Sequence, residues 1–445
     1  MRYFFTAFFI CVFTILYLLL NVKDVLTAFL LIINTFIITK GIYNSLRKQM
    51  ISIDLIYWVF NIFFFVFAIS EQIKHPYFPN YYPVNILEVN YGLILICCWN
   101  FVFLLFRNNH MNMKVITPQM KFIDKLIAIQ PLYLMISWIS FLSMFLILGK
   151  DYFFGYTSII DLTNEKTLST LISTVIRGIA FSAFVFQLTK MKNNFISYLR
   201  LILTMIPLFY LVSPFNTTRY ITGFFIILAI WIFLRKKISA NSFFVCLVVG
   251  ILVIFPFLNV FMTEGYVNNI EFNINDSLSQ FRELHFDAFA SFLSIISYTE
   301  LNGLLLGANF LGAALFFVPS AIWTNKPLGS GSLVGEYLIN HYGFTMDNLS
   351  SPLISEFYLS FGIIGILIGA LIFAVTINWI ETKMLKGFAE YDLLYGIIAG
   401  YLFIILRGSF MVAFASIVGS IVIMIIIPNL FSNYILHNKR EDILE

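Results

Sequence analysis

The chain has 445 residues, of which 60% are hydrophobic and only 11% are charged. An ordinary soluble domain has roughly 25% charged residues, so this composition excludes a soluble globular protein. The formal net charge of +4 is small, and no nucleic acid partner is expected. Apolar runs of about 18–20 residues recur along the whole chain, which is the length that crosses a bilayer as a helix. We therefore predict an all-α, polytopic integral membrane protein.

Twelve membrane spans are predicted in chain order. They lie at 3–20, 22–39, 53–70, 86–106, 127–148, 168–188, 198–213, 218–234, 242–263, 353–380, 391–406 and 409–431. The first apolar run has no small-residue cleavage site behind it, so we interpret it as a retained helix and not as a signal peptide. The chain then divides into nine N-terminal spans (1–263), a long polar segment (264–352), three C-terminal spans (353–436) and a tail (437–445).

The distribution of Lys and Arg predicts the orientation of these spans. Of the 27 basic residues, 18 fall in one set of alternating loops together with both termini, 8 fall in the other set, and Arg177 lies within a span. The positive-inside rule places the richer set in the cytoplasm, with both termini. Segment 264–352 then lies on the outer side. The apolar run 301–318 would invert every later loop if it crossed alone, so we predict a re-entrant or surface-lying helical hairpin.

Segment 264–352 and the span after it contain the candidates for acid–base chemistry. His285 and Asp287 lie close together in FRELHFDAF (281–289), and Glu356 lies at the outer mouth of a span. A histidine titrates near neutral pH and can accept a proton from a sugar hydroxyl. We predict that these three residues are catalytic. The alternatives are a solvated loop histidine and a structural or capping carboxylate.

Basic residues at the outer side and inside a span predict a binding site for a diphosphate. A charge within a span costs a few kcal/mol, so it should face a cavity or a partner. Guanidinium groups are the favoured bidentate partners of phosphate. The alternatives are structural arginines paired with carboxylates or carbonyls, and side chains that reach to the membrane interface. The predicted set is Arg177, Arg219, Arg282, Lys326 and Arg407.

Other motifs indicate what the substrate must bring with it. The chain has no CxxC, HxxxH or DxD motif, no Walker loop and no nucleotide-binding glycine pattern, so we expect no metal and no cofactor. An enzyme of this kind would need a substrate that arrives already activated. Trp323, Tyr337 and His341 are candidates for glycan binding, and packing or a membrane-interface belt is the alternative role for such aromatic side chains.

Several stretches of the C-terminal half resemble one family. HFDAF (285–289), the glycine-punctuated apolar run after it and FVPSAIWTNKPLGSG (317–331) are similar to the oligosaccharide repeat-unit polymerases, which make O-antigen and capsule. NTTRYITG (216–223) and SPLISEFYLSFGIIGILIGALIFA (351–374) fit the same family. His285 stands where the family has an arginine, and Ser320 follows Pro319 in place of another. Arg282 is the candidate substitute. The first five spans resemble the family only in topology.

The resemblance implies a GT-C-like glycosyltransferase of the bacterial inner membrane, with its active site facing the periplasm. It would transfer the growing glycan from undecaprenyl diphosphate to a hydroxyl of an incoming lipid-linked repeat unit. The arginines would stabilise the departing diphosphate, and His285 would activate the hydroxyl. A flippase and a chain-length regulator are the implied partners. The alternatives are a flippase or exporter for the same lipid-linked oligosaccharide, against which the long segment 264–352 argues, and an O-antigen ligase.

Overall fold

The computed structural model describes most of the chain. The described residues are 2–48, 50–107, 119–154, 166–213, 215, 217, 219–254, 278–318, 322–432 and 434. Every regular element within these ranges is helical, as the sequence predicts. Some sequence predictions lie outside the described residues: the end of the ninth span (255–263), part of the long segment (264–277), the pair Pro319 and Ser320, and the tail (437–445).

We number the helices in chain order. They are α1 (Arg2–Asn21), α2 (Val25–Arg47), α3 (Ile53–Lys74), α4 (Ile86–Phe106), α5 (Gln119–Phe153), α6 (Lys166–Thr189), α7 (Phe195–Leu211), α8 (Arg219–Leu234), α9 (Ala240–Ile254), α10 (Ala288–Asn302), α11 (Ala308–Ala314), α12 (Ser330–Tyr342), α13 (Leu353–Leu385), α14 (Ala389–Arg407) and α15 (Phe410–Ser432). Two single 3-10 turns, Gln280–Arg282 and Leu284–Phe286, precede α10.

The length and apolarity of these helices define a multi-pass membrane protein. Among the described helices, nine (α1–α6 and α13–α15) are long and apolar enough to cross a bilayer. Helices α7, α8 and α9 are apolar but shorter, and they coincide with three further predicted spans. Only 22% of the apolar window of α1 and of α5 is buried, so both helices present large apolar surfaces outward, as lipid contact requires. The count of twelve spans and their orientation stay predictions.

The apolar run 301–318 does not form one helix. Helix α10 ends at Asn302, and Gly303 and Gly307 follow with positive φ angles of 80° and 91°. Glycine adopts this left-handed region without a steric penalty, so the two glycines break the run before α11 begins at Ala308. Helices α10 and α11 are therefore both too short to span a bilayer alone.

Helix α3 is the centre of the bundle. It is 94% buried over its apolar window and packs against α2 and α14. Polar side chains connect it to its neighbours: the Tyr57 hydroxyl donates to Asn100 Oδ1 at 2.5 Å, and Asn100 Nδ2 donates to Asn34 Oδ1 at 2.9 Å. Hydrogen bonds of this kind join helices in an apolar environment. These two hydrogen bonds connect α2, α3 and α4.

Helices α8 and α14 form an antiparallel pair that is tied along its length. Arg235, directly after the end of α8, pairs with the carboxylate of Asp392 in the first turn of α14. Further along, the ring of Phe224 stacks on Tyr401 with centroids 3.9 Å apart, and Gly400 leaves the space that Phe224 occupies. Because the helices run in opposite directions, the start of α8 and the end of α14 meet. This end of the bundle, where the described residues 278–318 and 322–352 also lie, is called the loop end below.

Four buried charges lie at the opposite end of α13 from the loop end. Lys48 Nζ lies 2.6 Å from Asp54 Oδ2 and 3.0 Å from Glu381 Oε1. Arg107 Nε lies 2.6 Å from Asp54 Oδ1, and its Nη2 lies 2.5 Å from Glu381 Oε2. Cations and carboxylates alternate and balance, and all four side chains are at most 4% exposed. This cluster joins α2, α3, α4 and α13.

Candidate functional site

Two residues predicted from the sequence meet at the loop end. Arg219 is the first residue of α8, and its Nη2 contacts Nε2 of His285 in the 3-10 turn before α10. The hydroxyl of Tyr220 donates to the main-chain oxygen of His285 at 3.2 Å. Because a guanidinium only donates, His285 Nε2 accepts here, and the neutral ring has its proton on Nδ1.

Gln72 positions the turn that contains His285. Its Nε2 donates to the carbonyl oxygens of Phe281 and Phe286 at 2.8 and 3.0 Å. Gln72 lies near the end of α3 and is completely buried. The rings of Phe281 and Phe286 also pack against each other, with centroids 4.8 Å apart. The central helix of the bundle therefore fixes the turn that contains His285.

Two other predicted residues, Arg407 and Asp287, form an ion pair beside this turn. Arg407 Nη2 lies 2.9 Å from Asp287 Oδ1 and donates to the main-chain oxygen of Leu284 at 2.9 Å. Asp287 is fully buried and accepts a further bond from Ser350 Oγ at 2.7 Å. The guanidinium of Arg407 lies over the ring of Tyr220, 5.0 Å from its centroid. The end of α14, the start of α8 and the start of α10 therefore meet at one point.

Burial and the charges around His285 keep its ring neutral. Burial first, and then the positive charges of Arg219 and Arg407, lower the pKa of His285 from 6.5 to about 3. In or against the turn 280–287 the described residues place three arginines (Arg219, Arg282 and Arg407) and two carboxylates (Glu283 and Asp287). The site therefore has an excess of one positive charge.

Two guanidinium nitrogens in this region are buried without an acceptor. Within the described part of the chain, Nε of Arg407 and Nε of Arg282 have no hydrogen-bond partner. Buried polar groups are satisfied in the great majority of cases, and a donor left alone costs about 1–3 kcal/mol. Unsatisfied donors next to an excess positive charge are the features of a site that receives an anion.

The depressed pKa of His285 predicts a pH-dependent stability. Unfolded chains protonate this histidine below pH 6.5, whereas the folded chain does so only near pH 3. Its contribution to stability is therefore complete above pH 6.5 and falls as the pH decreases, by about 3 kcal/mol at pH 4.5. We expect His285→Gln to show a flatter decrease in the unfolding midpoint between pH 7 and 4.5 than the unmodified protein in detergent. Parallel curves would contradict this arrangement.

Glu356 lies in a separate buried site. Its carboxylate accepts from Asn309 Nδ2 at 2.8 Å, from the backbone N–H of Phe410 at 2.7 Å and from the hydroxyl of Ser330. Glu356 is 1% exposed. These donors belong to α11, α12 and α15, so the carboxylate holds three helices against the start of α13. Its catalytic role stays a prediction.

Arg177 and Lys326 contact other parts of the chain. Arg177 donates from Nε to the oxygen of Leu211 at 2.9 Å and from Nη2 to the Tyr152 hydroxyl at 3.3 Å. Lys326 Nζ donates to the carbonyls of Phe316 and Val318, at 2.7 and 2.9 Å, just after α11. Among the described contacts, none joins either residue to Arg219 or Arg407. Their role in diphosphate binding stays a prediction.

The three predicted glycan-binding residues differ in exposure. Tyr337 is only 4% exposed, and its hydroxyl lies 2.8 Å from Ser297 Oγ. His341 is exposed, with Nδ1 2.9 Å from the oxygen of Tyr337, and Trp323 is half-buried. A sugar can reach His341 and Trp323 directly, whereas the ring of Tyr337 is covered by its neighbours. The sequence does not distinguish these cases, because all three residues lie in stretches of mixed polarity.

Sequence reasoning missed the polar residues that position the candidate side chains. Gln72, Tyr220 and Ser350 each contact the turn or its aspartate. Of the three, only Tyr220 lies within a stretch singled out above, NTTRYITG (216–223). The one available signal was the occurrence of a glutamine at the end of an otherwise apolar span. Within the described residues, no group of three or more His, Cys, Asp or Glu side chains could hold a metal ion.

The fold and the site together define a multi-pass α-helical membrane protein with a cationic site at one end of its bundle. No family model, no curated protein and no solved structure matches this chain. The chemistry of the site and the resemblance of its motifs therefore carry the functional argument.

Proposed function

We propose that this protein polymerises undecaprenyl-diphosphate-linked oligosaccharide repeat units, with its site on the outer face of a bacterial inner membrane. The observation that carries the proposal is the convergence of Arg219 and Arg407 on the turn that contains His285. That turn lies in HFDAF, the motif by which the chain resembles the polymerases. Two guanidiniums at one end of a membrane bundle suit a substrate with a lipid tail and a diphosphate.

The proposed reaction is a transfer without a metal. The bond between the sugar C1 and the diphosphate oxygen breaks, and a hydroxyl oxygen of the incoming repeat unit bonds to C1. Undecaprenyl diphosphate leaves with the electron pair, and Arg219 and Arg407 stabilise its charge. The hydroxyl proton passes to a base. The hydrogen bonds already made by Asp287 hold Arg407 in place, which assigns the carboxylate a positioning role.

His285 is the proposed base, and the substrate itself activates it. In this structure Arg219 donates to Nε2, and burial together with the two positive charges keeps the pKa of His285 low. A diphosphate that binds Arg219 replaces the contact between Arg219 and His285, which frees the lone pair of Nε2. The negative charge of the diphosphate also offsets the positive charges of Arg219 and Arg407. The pKa of His285 then rises towards the value at which a histidine accepts a proton efficiently. The base is therefore active only when a donor is bound.

Deletion of the gene in its own host tests the proposed function. We expect the long ladder of surface glycan on a gel to collapse to core plus one repeat unit, because translocation and ligation still operate. Complete loss of surface glycan, with lipid-linked units at the inner leaflet, would indicate a flippase instead. Long polymer stranded on its lipid carrier would indicate a ligase. An unchanged ladder would contradict all three assignments.

A further inference from the structure

An elongated apolar groove lies between α8, α9 and α14, with a volume of about 200 Å³. On α8 its lining begins at Arg219 and continues through Gly223, Ile226 and Ile230. Residues spaced three and four apart share one face of a helix. The lining of α9 has the same spacing, from Phe243 to Ile254. The eleven steps from Arg219 to Ile230 measure about 17 Å along the helix, so the groove is long and narrow.

The groove has one charged end and an otherwise apolar wall. Among the described lining residues Arg219 is the only Lys, Arg, Asp or Glu, and it is also the residue that contacts His285. The groove is accessible from the side of the bundle, because Ile226 is 51% exposed, Ile254 is 47% exposed and Cys246 is exposed. An apolar groove of this kind in a membrane helix bundle suits a hydrocarbon chain that enters laterally, and its charged end suits an anionic head group.

Two glycines keep the groove open. A Cβ atom added at Gly223 or at Gly250 would meet no atom within 4 Å. By contrast, a Cβ at Gly400 would lie 2.6 Å from the ring of Phe224, so that glycine serves the packing of α8 on α14. Larger side chains at Gly223 and Gly250 would therefore fill the groove without forcing the helices apart.

We propose that this groove binds the prenyl chain of the lipid donor, with the donor's diphosphate at Arg219. The inference rests on the proposed function, because that function supplies a lipid with a single long chain and a diphosphate head. A phospholipid has two chains, and this groove has room along its axis for one. The donor is favoured over the acceptor because Arg219 lies beside Arg407 and His285, where the leaving diphosphate must be stabilised.

Labelling of Cys246 tests this placement directly. The purified protein in detergent is treated with a maleimide, and peptide mass spectrometry follows each cysteine with and without undecaprenyl diphosphate. We expect undecaprenyl diphosphate to slow labelling of Cys246 about tenfold and to leave Cys11 unchanged, since Cys11 lies on α1 outside the groove. Undecaprenol, inorganic diphosphate and phosphatidylglycerol at the same concentration should each leave Cys246 reactive.

A variant whose side chain fills the groove provides the second part of the experiment. Gly250→Leu should abolish the protection of Cys246, and leucine favours a helix more than glycine does, so the variant should fold. Val249→Leu is the matched control, because Val249 lies next to Gly250 on α9 but outside the groove lining. Equal protection by undecaprenol or phosphatidylglycerol would overturn the proposal. Undecaprenyl diphosphate that leaves Cys246 reactive, or that protects it in Gly250→Leu, would overturn it as well.

The experiments distinguish a wrong placement of the prenyl chain from a wrong proposed function. If the host loses its glycan ladder on gene deletion but Gly250→Leu restores it fully, the function stands and the placement of the chain in the groove is wrong. If deletion leaves the ladder unchanged, the proposed function is wrong whatever Cys246 reports. Loss of the ladder in Gly250→Leu, with normal levels of protein in the membrane and a normal ladder in Val249→Leu, supports both.

Discussion

Arg219→Ala is expected to reduce polymer formation by 100-fold to 1,000-fold. The expectation follows from the proposed role of Arg219 as a donor to the departing diphosphate, since removal of one such donor typically costs about 10²–10³ in rate. Arg219 is a better position for this test than Arg407, because Arg407→Ala would also leave Asp287 buried without its cation. Arg219→Lys should recover only part of the rate, because an ammonium cannot bind phosphate in a bidentate manner.

The rate is measured with lipid-linked repeat units and membranes that contain equal amounts of each variant. Arg47→Ala is the control, since Arg47 is an exposed arginine at the end of α2 and contacts the ring of Tyr43. It should retain the rate of the unmodified protein. A normal rate in Arg219→Ala would show that this guanidinium has no part in the reaction.

Glu381→Gln is expected to destabilise the protein by about 3–5 kcal/mol. The substitution leaves Lys48 and Arg107 facing the single carboxylate of Asp54, and removal of one partner from a buried ion pair has costs of this size. The readout is the unfolding free energy in mixed micelles. Glu300→Gln is the control, because Glu300 is exposed at the end of α10.

A double substitution separates charge balance from loss of a contact. In Lys48→Met with Glu381→Gln, Arg107 and Asp54 remain as a balanced pair. We expect the double variant to be more stable than Glu381→Gln alone, because no uncompensated buried charge is left. Equal stability of Glu381→Gln and Glu300→Gln would contradict the account of the four-charge cluster.

The helices could be predicted from the sequence because apolar runs in a membrane leave the backbone no other way to satisfy its hydrogen bonds. Each predicted span corresponds to a described helix over most of its length. The meeting of Arg219, His285 and Arg407 was also foreseeable in part. Successive loops lie at alternate ends of the bundle, and this alternation predicts that all three residues lie at the same end. The resemblance of the motifs indicated a shared site.

The contacts within and around the site could not be predicted in the same way. Glu381 lies 333 positions from Lys48, and Asp54 lies 53 positions from Arg107, so a count of basic loop residues treats these cations as independent. Likewise, no local pattern indicates that Gln72 reaches the turn 209 and 214 positions further along the chain. Such pairings depend on how helices pack, and helical periodicity determines only which face of each helix is apolar.

The chemistry of His285 also depends on packing. The sequence predicts a histidine that titrates near neutral pH, as it does when solvated. Burial between two guanidiniums lowers its pKa to about 3 and engages Nε2 with Arg219. The residue can serve as a base only after an anion has displaced that contact. The proposed activation of the base by the substrate therefore could not be inferred from the residue type and its neighbours in the chain.

Reconstitution of the reaction from purified components tests the central claim most directly. The purified protein is mixed in detergent with a single undecaprenyl-diphosphate-linked repeat unit, and the products are separated by length on a gel. The account predicts a ladder of glycans on the lipid carrier, with one undecaprenyl diphosphate released for each unit added. A substrate that remains a single unit, with protein that binds undecaprenyl diphosphate normally, would contradict the assignment of this protein as a polymerase.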